Sequence, residues 1–209
     1  MDPRWKHPYT SIISGPTSCG KTEWVLKFIR HIDQMMTPPP QKIIWFYGEW
    51  QEAYTRPEIC NVHFVEGLPR EDMIDPSIIN LIIIDDLLGE ADKRVTKLFT
   101  KGSHHKNCSV MFIVQNIFDK NKEMRTISLN AHYTVAFKNP RDMSQIHHLA
   151  RQMYPGNTKF VLEAFKDATA QPYGYLLFDG KASTPDEIRI RTNLFPGEMI
   201  TVYINKANA

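Results

Sequence analysis

Cysteine is scarce in this chain: three in 209 residues, Cys19, Cys60 and Cys108, far apart and with no C-x-x-C pair. An odd number at such spacings implies neither a disulfide framework nor a zinc site, and it fits a reducing, intracellular compartment. Long apolar runs are missing as well; none approaches the ~20 residues that a membrane-spanning helix needs. The first residues, Met1-Asp2-Pro3-Arg4-Trp5, lack the apolar stretch of a signal peptide. A soluble protein without an intrinsic membrane segment is expected. There is no large excess of one charge either: a net charge of +2 identifies no nucleic-acid partner by itself, although clustered Lys and Arg can still form a local footprint. Repeats and low-complexity segments are lacking, and Pro38-Pro39-Pro40 reads as a helix stop and loop rather than a linker. One domain over residues 1–209 follows, with a core over about 9–191 and a tail over 192–209, long enough to bury a core without staples.

What is present is concentrated near the start. Gly15-Pro16-Thr17-Ser18-Cys19-Gly20-Lys21-Thr22 fits the phosphate-binding P-loop pattern. The β-rich run Tyr9–Ser14 leads in, and a helical pattern with Val25, Phe28, Ile29 and Ile32 on one face leads out. Glycines let such a loop curl until its backbone N–H groups face a polyphosphate, and the positive end of the helix dipole adds to the attraction. Lys21 is expected to neutralise the β/γ-phosphates, and Thr22 to place its hydroxyl on Mg²⁺, a cation that prefers oxygen ligands.

The remaining elements alternate. Strands are expected at Lys42–Tyr47, Val62–Val65, Leu81–Ile84, Val110–Gln115 and Tyr133–Lys138. Helices are expected from about Glu90 to His104, from Asp142 to Tyr154 and from Asn157 to about Ala168, with a helical or loop segment from Glu49 to Arg56. Strands without polar alternation are buried on both faces, as in a parallel sheet between helices. Tyr175–Phe178 and Glu187–Arg191, separated by Gly180 and Pro185, read as a terminal hairpin. The fold class is therefore α/β, a RecA-like P-loop NTPase with a mainly parallel sheet between helices and a C-terminal β-hairpin.

Hydrolysis needs an acidic partner for the metal and a group that orients water. Leu81-Ile82-Ile83-Ile84-Asp85-Asp86 fits a Walker B motif, with Asp85 expected to hold Mg²⁺ through its water shell and Asp86 to polarise the attacking water. The next apolar strand ends in Gln115-Asn116; placed beside the Asp85 strand, Gln115 would reach the γ-phosphate and sense hydrolysis. A guanidinium from a neighbouring subunit could stabilise the transferring phosphate, with Arg125 ranked before Arg94 and Arg141 because it lies in a polar connection past the sensor strand. His104-His105 and His147-His148 read as solvated helix-end residues, since adjacent helical residues do not share a face.

Together these residues resemble the FtsK/HerA superfamily of DNA-pumping ATPases, and within it the viral genome-packaging ATPases similar to those of poxviruses. The resemblance covers Thr10 to about Arg191 and rests on Gly15–Thr22, Ile82–Asp86, Gln115 and the stretch from Asn130 through His132-Tyr133 to Asp142. It implies ATP and Mg²⁺ as cofactors, with Lys21 and Thr22 on phosphate and metal, Asp85 and Asp86 on metal and water, and Gln115 as sensor. It also implies double-stranded DNA, a homo-oligomeric ring and a capsid or portal-type protein as partners. Host cytoplasm or nucleus, with virion association, is the implied location. Asp86 stands where cellular members typically carry Glu, which leaves Glu49 as a second candidate for activating water. Lys101, Lys106, Lys120 and Lys122 are candidates for a basic DNA-gripping surface. Two other readings stay open. One is a GTPase-like switch, through the Asp-x-x-Gly pattern Asp86-Leu87-Leu88-Gly89, although Asn121-Lys122-Glu123-Met124 lacks the Asp that would pair with guanine. The other is a small-molecule kinase, for which no Arg-rich lid is evident.

Overall fold

Alternate residues of the expected apolar strands point into two separate cores, which is why those strands show no polar face. Ile12, Ile44, Ile82, Ile84, Val110 and Phe112 enter one cluster, and their chain neighbours Ile13, Ile43, Trp45, Leu81, Ile83 and Met111 enter the other. This is the signature of a sheet covered on both sides. The computed structural model describes residues 2–87, 93–118 and 122–205. In chain order its strands are β1 (Trp5–Lys6), β2 (Thr10–Ser14), β3 (Met36–Thr37), β4 (Lys42–Tyr47), β5 (Val62–Glu66), β6 (Asn80–Asp85), β7 (Cys108–Val114), β8 (Tyr133–Phe137), β9 (Tyr175–Asp179), β10 (Ile190–Thr192) and β11 (Thr201–Tyr203). Its helices are α1 (Lys21–Arg30), α2 (Ile32–Met35), α3 (Lys93–Lys97), α4 (Ser103–His105), α5 (Lys122–Leu129), α6 (Ser144–Met153) and α7 (Thr158–Ala168).

Among the described residues, nine strands form one sheet in the order β11-β10-β9-β8-β2-β7-β6-β4-β5. From β5 to β8 every pairing is parallel; β9, β10 and β11 continue the sheet antiparallel. The register aligns Ser14 with Val114 on one side of β7 and Asp85 with Ile113 on the other. Trp24, Val25 and Phe28 of α1 cover one face. Val95 of α3, Met124 and Ile127 of α5, Ile146 and Leu149 of α6, and Val161 and Phe165 of α7 cover the opposite face. At ~25 cal/mol per Å², each large side chain buried this way contributes roughly 1.5–3 kcal/mol. The α/β architecture with a mainly parallel sheet is as expected.

Several elements differ from the sequence reading. The stretch holding Arg125 is not a polar connection but α5, whose apolar stripe is reduced to Met124 and Ile127, three residues apart. The hairpin's second strand begins only at Ile190, because Asp186–Ile188 is a 3₁₀ turn. Pro185 fixes φ at −57° there, and Asp186 Oδ1 accepts a 2.6 Å bond from Arg189 Nε three residues on. β11 lies in the expected tail, and its half-exposed residues make an edge strand. The short parallel pair β1 and β3 was also not anticipated. The helix expected from Glu90 is described from Lys93, with Leu98–Gly102 in π geometry between α3 and α4. Lys120, Leu88 and Gly89 of the switch-like pattern, and Asn121 of the guanine-motif comparison lie outside the described residues.

Candidate nucleotide site

β2 and α1 are joined by the six residues Gly15–Gly20, with Lys21 and Thr22 opening the helix, and two glycines decide the shape of the turn. Gly20, the N-cap of α1, has φ 102°, a conformation nearly closed to side-chain-bearing residues. Gly15 has no room for a side chain: a Cβ would sit 2.6 Å from Cys19 Sγ and 2.7 Å from Phe137 Cβ. Gly15 N–H donates to Val114 O at 3.3 Å, and Pro16 O accepts from Cys19 N–H at 3.4 Å, fastening the loop to β7 and to itself. Lys21 Nζ donates to Gly15 O at 2.7 Å and to Pro16 O at 2.8 Å, so the ammonium lies folded across the loop. Burial lowers its pKa, opposed by attraction to Asp85 and Asp86.

Because β6, β7 and β2 are adjacent and parallel, their C-terminal ends open on the same edge of the sheet. A cavity of about 900 Å³ lies there. Thr17, Ser18, Gly20, Lys21 and Thr22 line it from the loop, Asp85 and Asp86 from β6, Gln115 and Asn116 from the end of β7, and Glu49 and Trp50 from beyond β4. Gly15, Pro16 and Cys19 form the back of the loop and do not line it.

The two carboxylates differ in environment. Asp85 is 3% exposed, and burial pushes its pKa up to about 6 against the opposing effects of a hydrogen bond from Tyr54 and of Lys21. Tyr54 donates that bond to Asp85 Oδ2 at 2.7 Å, from an aromatic cluster in which its ring stacks on Phe64 at 4.9 Å between centroids. Asp86 is solvent-exposed and its backbone has φ 56°. Such strain collects at functional sites. Of the five positive-φ residues other than glycine among the described residues, Ser18, Asp86 and Tyr173 line this cavity, and Asn193 lines a second cavity that shares Gly20, Glu23 and Tyr173 with it.

The donor set suits a hard divalent cation. Thr22 and Asp85 offer oxygens in one cavity, and the described residues contain no cluster of three or more His, Cys, Asp or Glu side chains able to hold a metal by themselves. Mg²⁺ characteristically completes such a set with water and phosphate oxygens.

Gln115 and both carboxylates line the same cavity as the loop. Arg125, expected to act on a neighbouring subunit's site, is exposed on α5 and does not line its own chain's cavity, nor do Arg94 or Arg141. Nor do His105, His147 or His148. The lysines split between opposite ends of the sheet. Lys106 precedes β7 and pairs with Glu71 at 3.4 Å, whereas Lys122 begins α5 after the chain has left the site end of β7. Sequence reasoning missed Tyr54, Trp50, Asn116 and Tyr173. Asn116 Oδ1 accepts from Phe118 N–H at 2.8 Å and Gln145 Oε1 from Ile117 N–H at 3.0 Å, which holds the segment after Gln115 in place. No short motif announces these residues.

No protein-family model matches the sequence, and no curated protein sequence matches it. The structure is similar to that of the genome-packaging NTPase B204 from Sulfolobus turreted icosahedral virus 2. In the complex of that protein with AMPPCP, the TM-score is 0.57 at 12% identity, covering 97% of this chain and 98% of that one. In its complex with ATP-gammaS the TM-score is 0.54 at 13% identity, with the same coverage. At this identity the likeness establishes the shared fold, which extends over nearly the whole length of both chains.

Proposed function

We propose that this chain is a Mg²⁺-dependent P-loop ATPase that works as a homo-oligomeric motor, translocating double-stranded DNA to package a viral genome into a capsid. The observation that carries the ATPase reading is the position of β7 between β2 and β6. It places Gln115 between the Gly15–Thr22 loop and the Asp85-Asp86 pair, on one cavity wide enough for a nucleotide.

The chemistry follows from these placements. Triphosphate oxygens take the N–H groups at the start of α1, and Lys21 exchanges the carbonyls of Gly15 and Pro16 for β/γ-phosphate. Thr22 and Asp85 would hold Mg²⁺, which when bound neutralises phosphate charge. Asp86, exposed and beside the buried Asp85, orients and deprotonates the attacking water; Glu49 on the same cavity is the alternative base. Gln115 reads whether the γ-phosphate is present. Arg125, remote from its own chain's cavity, acts on a neighbouring subunit's site.

The motor reading is supported by the resemblance of the sequence motifs and by a fold shared with a packaging NTPase over 97% of the chain. DNA would be gripped through its phosphates without reading sequence. Lys101 and Lys122, both exposed, remain candidates for that contact; Lys106 is engaged by Glu71. The test is hydrolysis of ATP and GTP with and without duplex DNA over a range of salt. Stimulation by DNA that fades steeply with salt, with ATP preferred, supports the motor. Phosphoryl transfer to a small molecule would instead support a kinase, and tight GTP binding indifferent to DNA a switch.

A further inference from the structure

Phosphates on the loop leave the rest of a nucleotide to run along one wall of the site, and the structure offers a continuation on the side away from Asp85 and Asp86. A second cavity of about 560 Å³ begins at Gly20, Glu23 and Tyr173, the same residues that end the first. Its walls change character. Trp24, Tyr175 and Phe195 are 4%, 7% and 3% exposed and give it an aromatic lining. Tyr173 stands at the junction, 72% exposed, on a backbone with φ 63°. Its ring lies against the loop: Tyr173 Cδ1 is 3.2 Å from where a Cβ on Gly20 would be. An exposed aromatic ring held in a disfavoured backbone conformation, at the mouth of an aromatic cavity and touching the phosphate loop, is a platform for a flat apolar ligand.

We propose that this second cavity is the nucleobase subsite and that Tyr173 is the residue on which the base stacks. The inference rests on the P-loop reading above and adds to it the part of the ligand that the motif does not address. Continuity with the phosphate cavity supplies the occupant: the group that must emerge there is the nucleoside of a triphosphate seated on the loop. The subsite is of a size suited to that group. Polar groups at its far side, Asn193 and the pair in which Tyr203 donates to Asp167 Oδ2 at 2.6 Å, can meet the edge of a base.

The test compares two ligands that share phosphates and differ in the base. Affinities of a non-hydrolysable ATP analogue and of inorganic tripolyphosphate, each with Mg²⁺, are measured for the wild type, Tyr173→Ala and Tyr173→Phe. Loss of a base stack should weaken the ATP analogue by roughly 10- to 100-fold in Tyr173→Ala, leave tripolyphosphate unchanged, and be reversed in Tyr173→Phe. Equal effects on both ligands, or none on the ATP analogue, would overturn the subsite while leaving the loop assignment intact. A wild type that binds neither ligand would overturn the P-loop reading itself and this inference with it.

Discussion

Asp85, Asp86 and Gln115 reach the site from the C-terminal ends of parallel strands, whereas Tyr173, Tyr175 and Phe195 reach it from the antiparallel edge of the same sheet. The first wall is polar and holds Lys21, Asp85 and Asp86; the second is mainly aromatic, with Asp167 and Tyr203 among its polar groups. Parallel strands all deliver their following residues to one edge, so a functional group there is preceded directly by its own buried strand. Antiparallel strands deliver the start of β9 and the end of β10 to that edge, as Phe137 pairing with Tyr175 shows. Residues distant in sequence then have to combine. The proposed roles thus put chemistry and recognition of the base on different topologies of one sheet.

The comparison breaks most severely if the polar wall is not complete within one chain. Arg125 is exposed and away from its own cavity, so Arg125→Ala should bind ATP normally yet hydrolyse it about 10³-fold more slowly, the lower range for an arginine acting in trans. Mixing this variant with Lys21→Ala should partly restore turnover, because some interfaces join an intact loop to an intact Arg125. No recovery in demonstrably mixed oligomers moves the role to Arg94 or Arg141.

Within the polar wall, Asp86→Asn keeps shape but loses the charge that activates water. ATP should remain bound while single-turnover hydrolysis falls by roughly 10²–10⁴-fold. Lost binding with preserved hydrolysis per bound nucleotide would make Asp86 a metal or structural residue and direct attention to Glu49. Gln115→Ala should follow with a fall of about 10²-fold in turnover and little change in affinity; an unchanged rate would leave Gln115 a loop residue.

The smallest expected effect sharpens the contrast in burial. Asp85 titrates near pH 6 in the folded chain against an ordinary value of 3.8, so the native state holds the proton more tightly than the unfolded one. Its ionisation therefore costs stability progressively as pH rises from about 4 through 6. Asp85→Asn should stabilise the nucleotide-free protein by about 1–3 kcal/mol at pH 7.5, with the gain vanishing near pH 4. Urea unfolding at both pH values checks this, and a gain independent of pH would contradict it.

The polar wall was legible in the sequence for the reason its topology gives. Gly15–Thr22, Asp85-Asp86 and Gln115 each adjoin the apolar strand that positions them, so motif and context are contiguous. The sheet's parallel half was readable on the same grounds. The aromatic wall was not: nothing local distinguishes Tyr173 from a surface tyrosine, and its place depends on β9 and β10 folding back beside β8. Tyr54 was hidden likewise, since its link to Asp85 spans 31 residues. α5 escaped because two buried side chains make too short a stripe. The 3₁₀ turn at Asp186 hid because an alternating apolar-polar pattern is compatible with it until the Arg189 contact is known.

The central claim is that Lys21 leaves the carbonyls of Gly15 and Pro16 to hold the phosphates of a hydrolysed nucleotide. The most direct measurement is Mg²⁺-dependent ATP binding and turnover by the wild type and by Lys21→Ala, side by side. Loss of both in the variant, with its unfolding transition retained, is the predicted result. Hydrolysis by Lys21→Ala at the wild-type rate would contradict the account.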